Sequence, residues 1–428
     1  MASLFPFRAL RYDPERVRVA DVVTQPYDKI TPAMQERYYA ASLYNLVRIV
    51  LGNPRIEGDV YRAAAQHFAD WRANSILKRD AEPSVYPYSQ TFKAPDGKTM
   101  ERRGFLALGR LHDYEERVVY RHEQTLSAPK ADRLNLLRAT KAHFEQLFFL
   151  YSDPQHEVEA LLFGNGDVPQ VQLTDEYGVL HRFWCNSEAA AIARAQSLMA
   201  DKKLIIADGH HRYETALNYR NERRKAATKP DEDAPYERVL MTFVNMDSPG
   251  LAILPTHRVV HGLAMFDAEQ LLRGAKRYFE VEPLPPELDA AGASKALAAG
   301  KRGMRFVAFC GERNFLFTAR PESLDELLSG LSSRQRELDV VVLHRVLLQK
   351  VLGISEEAIR EQRNLAYVRD AGEAMARVRG RQADAAFLMN PVTIEQMREV
   401  AFAGEVMPQK STDFYPKLLS GLAIYALE

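Results

Sequence analysis

Residues 204–217 read LIIADGHHRYETAL, and the architecture of the chain is best approached from this stretch. Four apolar residues ending at Ala207 have the length and composition of a buried strand. Asp208, Gly209, His210, His211 and Arg212 follow without interruption, and a helical pattern then runs to about residue 226. Gly209 can adopt a positive φ and lets the backbone come close to a ligand. The first amides of the following helix have no intrahelical acceptor, and the helix dipole favours negative charge there. A strand feeding such a turn and helix is an anion site. Arg212 can grip a phosphate in a two-point fork, and His210 and His211 add hydrogen-bonding side chains. Asp208 can hold a cation or accept a proton from an attacking hydroxyl. The plain alternative is that Asp208 caps the helix and one histidine packs in the core. Five such residues at one junction are harder to dismiss than a single histidine. Adjacent histidines project about 100° apart on a helix, so they do not grip one zinc ion together.

Upstream of this unit, residues 59–77 read as a helix, and VYPYSQTF and RGFLALGRL, separated by APDG, as a hairpin. Residues 133–149 carry apolar residues at helical spacing, VQLTDEYGVLHRFW is a second hairpin, and a helix covers 187–200. Downstream, VLMTFVNM and LAILPTHRVV flank the turn DSPG, and beyond residue 262 a new series of helices and strands begins. Hairpins mixed with helix crossovers predict α/β or α+β architecture with mixed sheets. The expected organisation is a catalytic region over 1–262, with an inserted hairpin and helix segment at about 80–200, and a C-terminal mixed α/β domain over 263–428.

Composition narrows the function. Lys plus Arg and Asp plus Glu each total 57, so formal net charge is zero. Nucleic-acid binders usually show a basic excess, which makes nucleic acid an unlikely partner. The two cysteines make no CxxC pattern, against a disulfide framework or zinc site. No apolar run approaches a membrane span, and the opening MASLFPFRALRYDPERV lacks a secretory core, so a cytoplasmic location is expected. Oligomeric state is not legible.

Other stretches offer chemistry. HEQTLSAPKADR, residues 122–133, gathers His122, Glu123, Thr125, Lys130, Asp132 and Arg133. It is not a zincin motif, because Leu126 stands where the second histidine would be. Glu123 is a candidate base and Lys130 and Arg133 candidate phosphate ligands; a solvated loop before a helix is the competing reading. Asp28 sits in the loop QPYDK as a candidate acid–base group or as part of a turn. Asn45 and Arg48 lie one helical turn apart, where capping and solvation are the simpler roles. His257 and Arg258 lie on a strand, so alternation points one inward. AGEVMPQKST has the spacing of a phosphate loop from Gly404 to Lys410 and Ser411, but Gln409 replaces its second glycine and a helical pattern precedes it. Lys410 remains a candidate phosphate contact. Neither GxGxxG nor GxSxG occurs.

ADGHHRYETAL, the opening PFRALRYDP with VVTQPYD, the segment HEQTLSAPKADR and the closing MPQKSTDFYPK together resemble the bacterial domain-of-unknown-function 1015 family over essentially the whole chain. The strand–DGHHR–helix unit is similar to the phosphate-binding motif of the ParB/sulfiredoxin-like superfamily, which implies such a core with large insertions. Sulfiredoxins place a cysteine where His210 stands, so sulfinate repair has no thiolate here. The likeness to free-serine kinases is residue for residue from Asp208 to Arg212. It implies that Asp208 assists catalysis or holds Mg²⁺, and that Gly209, His210, His211 and Arg212 contact phosphate. It further implies a nucleotide, ATP or ADP, as donor and a small hydroxylated substrate, free L-serine by that likeness. An upstream glutamate used by those kinases is not placed. His122, Thr125 and His257 are candidate substrate contacts, and Asp208, His210, His211, Glu123 and Asp28 candidate catalytic groups. The rival expectation is a regulatory module that binds a nucleotide or phosphometabolite without turning it over.

Overall fold

The computed structural model describes all residues except 1, 95–96, 125–126, 165–167, 230 and 300–303. The chain divides into two compact units: Met1–Arg121, Thr125–Ala252 and Pro416–Glu428 form the first, His122–Gln124 and Ile253–Tyr415 the second.

The first unit is built on a nine-stranded mixed sheet. At its centre Leu147–Tyr151 runs parallel to Arg238–Asn245 and antiparallel to Leu204–Asp208. Leu204–Asp208 in turn lies parallel to Val119–Tyr120. Covered on both faces, such strands need continuous apolar runs, and LFFLY and LIIA supply them. On the other side Arg238–Asn245 pairs with Thr99–Arg110, which forms the expected hairpin with Tyr86–Lys93. The hairpin's turn residues Pro95 and Asp96 lie outside the described residues. Leu180–Phe183 and Val171–Thr174 form the second hairpin and extend the sheet. Phe105, Phe149, Phe243, Tyr151 and Tyr213 are buried together in the core against this sheet.

The helix His210–Ala226 is fastened to the sheet from one face. The Tyr213 hydroxyl accepts from the His112 N–H at 3.0 Å and donates to the His112 carbonyl at 2.7 Å. Two turns later the buried Arg220 donates to the Leu111 carbonyl at 3.0 Å and to Asp113 at 2.8 Å. Arg223, Arg224 and Lys225 close the helix, where cations suit the dipole. The start of this helix is therefore held at a set place beside the end of Leu204–Asp208.

The second unit carries a six-stranded sheet ordered Phe279–Leu284, Arg313–Ala319, Arg305–Cys310, Ala385–Met389, His257–Val260 and Leu365–Val368, all pairs antiparallel. The helices Ala290–Ala298 and Ala371–Arg379 bury Leu297, Met375 and Val378 against its core. The whole is a mixed α/β structure with mixed and antiparallel sheets, as the sequence pattern predicts.

Three differences from the sequence reading have physical causes. The units divide at 252/253, ten residues before the restart at 263, because His257–Val260 pairs inside the second sheet. Residues 416–428 return to the first unit, where Ile424 bonds Leu10 and Tyr425 pairs with His143. Residues 133–149 are not one helix: the helix Ser127–Thr140 stops at Lys141, whose φ of +51° is left-handed, and 147–149 enter the central strand.

Candidate functional site

The strand Leu204–Asp208 shifts register between Ile206 and Asp208 against Leu147–Tyr151. A bulge at a strand end re-aims side chains, and here it delivers Asp208 at the entry to the helix. Asp208 is not the helix cap. Gly209 occupies that position at φ +97° and ψ +25°. Asp208 therefore sits one residue before the cap. Glycine is demanded by this conformation, and a Cβ would also press on Leu147 Cδ2 at 2.8 Å and Arg212 Nη2 at 3.1 Å.

Cations converge on Asp208 from its own helix and from two distant stretches. Arg212 Nη2 lies 3.7 Å and Lys417 Nζ 3.6 Å from Asp208 Oδ2. Arg102, buried on the strand Thr99–Arg110, feels the same carboxylate. Burial pushes the Arg102 guanidinium down to about 10, with Tyr88 and Asp208 opposing that shift. Arg102 bonds the Gln90 side chain and the Pro416 carbonyl and lies 4.8 Å from the Phe148 ring centre. For Arg212, burial works against the charge, but Glu145, Asp208 and Asp28 outweigh it and hold the pKa above the ordinary arginine value. Its Nη1 donates to the Gln146 carbonyl at 2.8 Å, which fixes the fork.

Glu145 organises the side of this site away from Asp208. It accepts the Tyr27 N–H at 2.9 Å and a bond from the Ser420 hydroxyl at 3.3 Å, and lies 3.9 Å from Arg133 Nη1. The Arg133 guanidinium packs 4.0 Å from the centre of the Tyr27 ring and bonds Asp132 and the Val50 carbonyl. Desolvation raises the Tyr27 hydroxyl to about 12. Asp28, next along, is exposed in a single turn of 3₁₀ helix, and its charge acts on Arg212. Asp28, Arg133, Asp208 and Arg212 are thus linked through one charged network. His210 is buried and His211 half-buried at the head of the helix. Lys130 is engaged one turn further along, where its Nζ lies 2.8 Å from Glu214. Asn45 and Arg48 have structural partners: Asn45 bonds the Asp21 carbonyl, and Arg48 stacks on Tyr39 beside Glu57.

His122, Glu123, His257 and Lys410 belong to the second unit. Glu123 Oε1 accepts the N–H groups of Ser411 and Thr412 at 2.9 and 3.0 Å and the Thr412 hydroxyl at 3.2 Å. His122 is buried with Nε2 2.8 Å from Thr412 Oγ1. Lys410 has a left-handed φ of +56°, and its carbonyl accepts from Arg258 at 3.1 Å. The helix Ile394–Phe402 precedes this loop where a phosphate loop requires a strand. His257 is buried on its strand, takes the Met389 N–H on Nδ1 at 3.4 Å, and is pushed down to about 4 by burial and by Arg258. Thr125 lies outside the described residues.

Among the described residues no three His, Cys, Asp or Glu side chains gather as a metal-binding group. One carboxylate flanked by cations is a poor resident cage.

Residues 4–363 match the model of a family described as "Protein of unknown function (DUF1015)". The chain belongs to this family. No curated relative matches this family member at a significant level. Among solved structures, a conserved hypothetical protein from Pyrococcus furiosus is 15% identical, with 72% of this chain and 92% of that one covered at a TM-score of 0.36. A free serine kinase in complex with AMP is 15% identical, with 73% and 88% covered at 0.36. SbnI with a C-terminal truncation, from Staphylococcus aureus, is 12% identical, with 75% and 87% covered at 0.38. No helix among the described residues is long and apolar enough to cross a membrane.

Sequence reasoning passed over Arg102, Glu145 and Lys417. Lys417 ends the quoted segment MPQKSTDFYPK, so a signal was present there. Arg102 and Glu145 sit in ordinary strand and loop sequence, and nothing local distinguishes them.

Proposed function

We propose that this protein transfers a phosphoryl group from a nucleotide donor, ATP or ADP, to a small hydroxylated metabolite, with free L-serine the acceptor of first choice. The observation that carries the reading is Asp208: half-buried, displaced from the capping position by Gly209, and faced by two cations at 3.6 and 3.7 Å. Phosphoryl transfer is mainly positioning and charge neutralisation, and this junction has the groups for both. Arg212, with His210, His211 and the first amides of the helix, neutralises the phosphate. Asp208 accepts the acceptor's hydroxyl proton or, with Asp28, orients Mg²⁺; that ion would supply charge neutralisation across the donor phosphates. The match from Asp208 to Arg212 with the free-serine kinase motif supports the same assignment.

A binding module without turnover would take the same ligand. A thermal-shift titration separates the two, because ligands that bind the native state raise its stability by mass action. An enzyme is stabilised by AMP, and further by serine added with it. Stabilisation by AMP with no response to serine or to other hydroxylated amino acids would count against the transferase and for the binder.

A further inference from the structure

Lys417 is held with unusual care for a lysine. Its side chain is 7% exposed, and the backbone on either side is tied to the sheet. The Pro416 carbonyl accepts from Arg102, and the Lys417 carbonyl accepts from Gln90 Nε2 at 2.8 Å. Two residues on, the Leu419 N–H donates to the Tyr88 hydroxyl at 3.4 Å and its carbonyl accepts from Gln146 Nε2 at 2.7 Å. Gln90 and Arg102 stand directly opposite each other in the hairpin register, and Gln90 Oε1 accepts from Arg102 Nε at 3.1 Å. Behind them runs a buried chain of polar groups. Tyr88 Oη lies 2.6 Å from His181 Nδ1, and His181 Nε2 lies 3.3 Å from Asp175 Oδ2. Asp175 Oδ1 in turn accepts the N–H groups of Tyr177 and Val179, both at 2.9 Å.

Burying this many polar groups is expensive, and the hydrogen bonds they do make fix geometry; Gln146 Oε1 and His181 Nε2 are buried without a hydrogen bond, the latter facing Asp175 at 3.3 Å. What this network fixes is the stretch carrying Lys417. Arg102, Arg212 and Lys417 also bring three positive charges to the Asp208 carboxylate, with Glu145 and Asp28 acting on Arg212 as well. Arg212 is the planar fork and Lys417 the point charge, two complementary ways to hold a phosphate.

We propose that Lys417 is a phosphate-contacting residue of the Asp208 site, and that Gln90, Arg102 and the Tyr88–His181–Asp175 chain are positioning residues that set it there. The inference rests on the reading that this site takes a phosphate, and it adds the residue and the device that the DGHHR motif does not contain.

Calorimetric titration of the full-length protein with inorganic phosphate, AMP and adenosine tests it, with melting curves to establish that each variant is folded. Lys417→Met should weaken phosphate and AMP by about tenfold, the scale of one charge-assisted hydrogen bond, and leave adenosine unchanged. Lys417→Arg should recover most of the loss, and Lys417→Gln serves the same comparison if methionine proves too disruptive. Tyr88→Phe should weaken AMP by about threefold in the native background and add nothing in the Lys417→Met background, since coupled residues are not additive. A folded Lys417→Met that binds phosphate and AMP as the native protein does would overturn the assignment. Equal loss of AMP and adenosine would do the same. Full additivity of the two substitutions would remove the positioning role. A native protein that binds neither phosphate nor AMP would sink the phosphate site itself, a different failure from loss of the lysine assignment alone.

Discussion

Two loops of this chain have the composition of a phosphate cradle, and their chemistry diverges. In the second unit Gln409–Thr412 presents Lys410 in a left-handed conformation, followed by two backbone N–H groups that point at one acceptor. That acceptor is the protein's own Glu123, so the concavity is filled by an internal anion. In the first unit Asp208–Arg212 has a different balance: its own carboxylate is half-buried and met by Arg212, Lys417 and Arg102, while Glu145 and Asp28 act on Arg212 from outside the loop. A loop rich in Lys, Ser and backbone donors is therefore not yet a binding site. The sign of what the fold has already placed there decides whether an external anion is wanted.

The comparison breaks most visibly at Asp208. Asp208→Asn should lower phosphoryl transfer by about 10²–10⁴-fold, the range of a lost acid–base group, while AMP affinity holds or rises because a negative charge is gone. Steady-state rates and calorimetry on the same preparation check it. Retained turnover would remove Asp208 from the chemistry.

Gly209→Ala comes next. A Cβ there meets Leu147 and the Arg212 guanidinium and must adopt φ +97°. The expected cost is about 1–3 kcal/mol of stability together with weakened AMP binding, read by denaturant unfolding and titration. A variant as stable and as tight as the native protein would show that the turn is not constrained as described.

Glu123→Gln sharpens the contrast from the other side. It keeps one acceptor oxygen but loses the charge that gathers Ser411 and Thr412, so stability should fall by about 1–2 kcal/mol. Transfer measured on the folded fraction should stay near the native rate. Abolished turnover in a stably folded Glu123→Gln protein would make Glu123 catalytic and collapse the distinction between the loops.

The smallest effect concerns pH. His257 is pushed down to about 4, so it is neutral in the folded state while the unfolded chain takes up its proton near the ordinary value of 6.5. A base with a depressed folded pKa contributes stability that is present above the unfolded pKa and lost as pH falls toward the folded one. His257→Gln should therefore show a flatter fall in melting temperature from pH 6.5 to 4 than the native protein. Parallel curves would mean that His257 does not feel the burial described.

What could be read in advance divides along the same line. LIIA announced a buried strand because its apolar run is continuous, and Gly209 announced the turn because little else tolerates that conformation. The strand at 147–149 was hidden because helical spacing continues across Lys141, a residue that carries no glycine or proline signal for the left-handed stop it makes. Arg102 was hidden, and the place of Lys417 beside Asp208 was hidden although the segment MPQKSTDFYPK marked the residue, for a deeper reason. Gln90 bonds the Lys417 carbonyl across 327 positions of sequence, and no periodicity or local motif encodes a meeting of that separation. The motif was legible; the counter-charges that give it its sign came from the tertiary fold.

The most direct test is to incubate the purified protein with L-serine, Mg²⁺ and a panel of donors that includes ATP and ADP, and to follow O-phosphoserine and donor breakdown by mass spectrometry. The account predicts O-phosphoserine formed with stoichiometric loss of one donor's terminal phosphate, abolished by Asp208→Asn. Stable binding of the nucleotide with no donor consumed, for serine or any other hydroxylated acceptor, would contradict it.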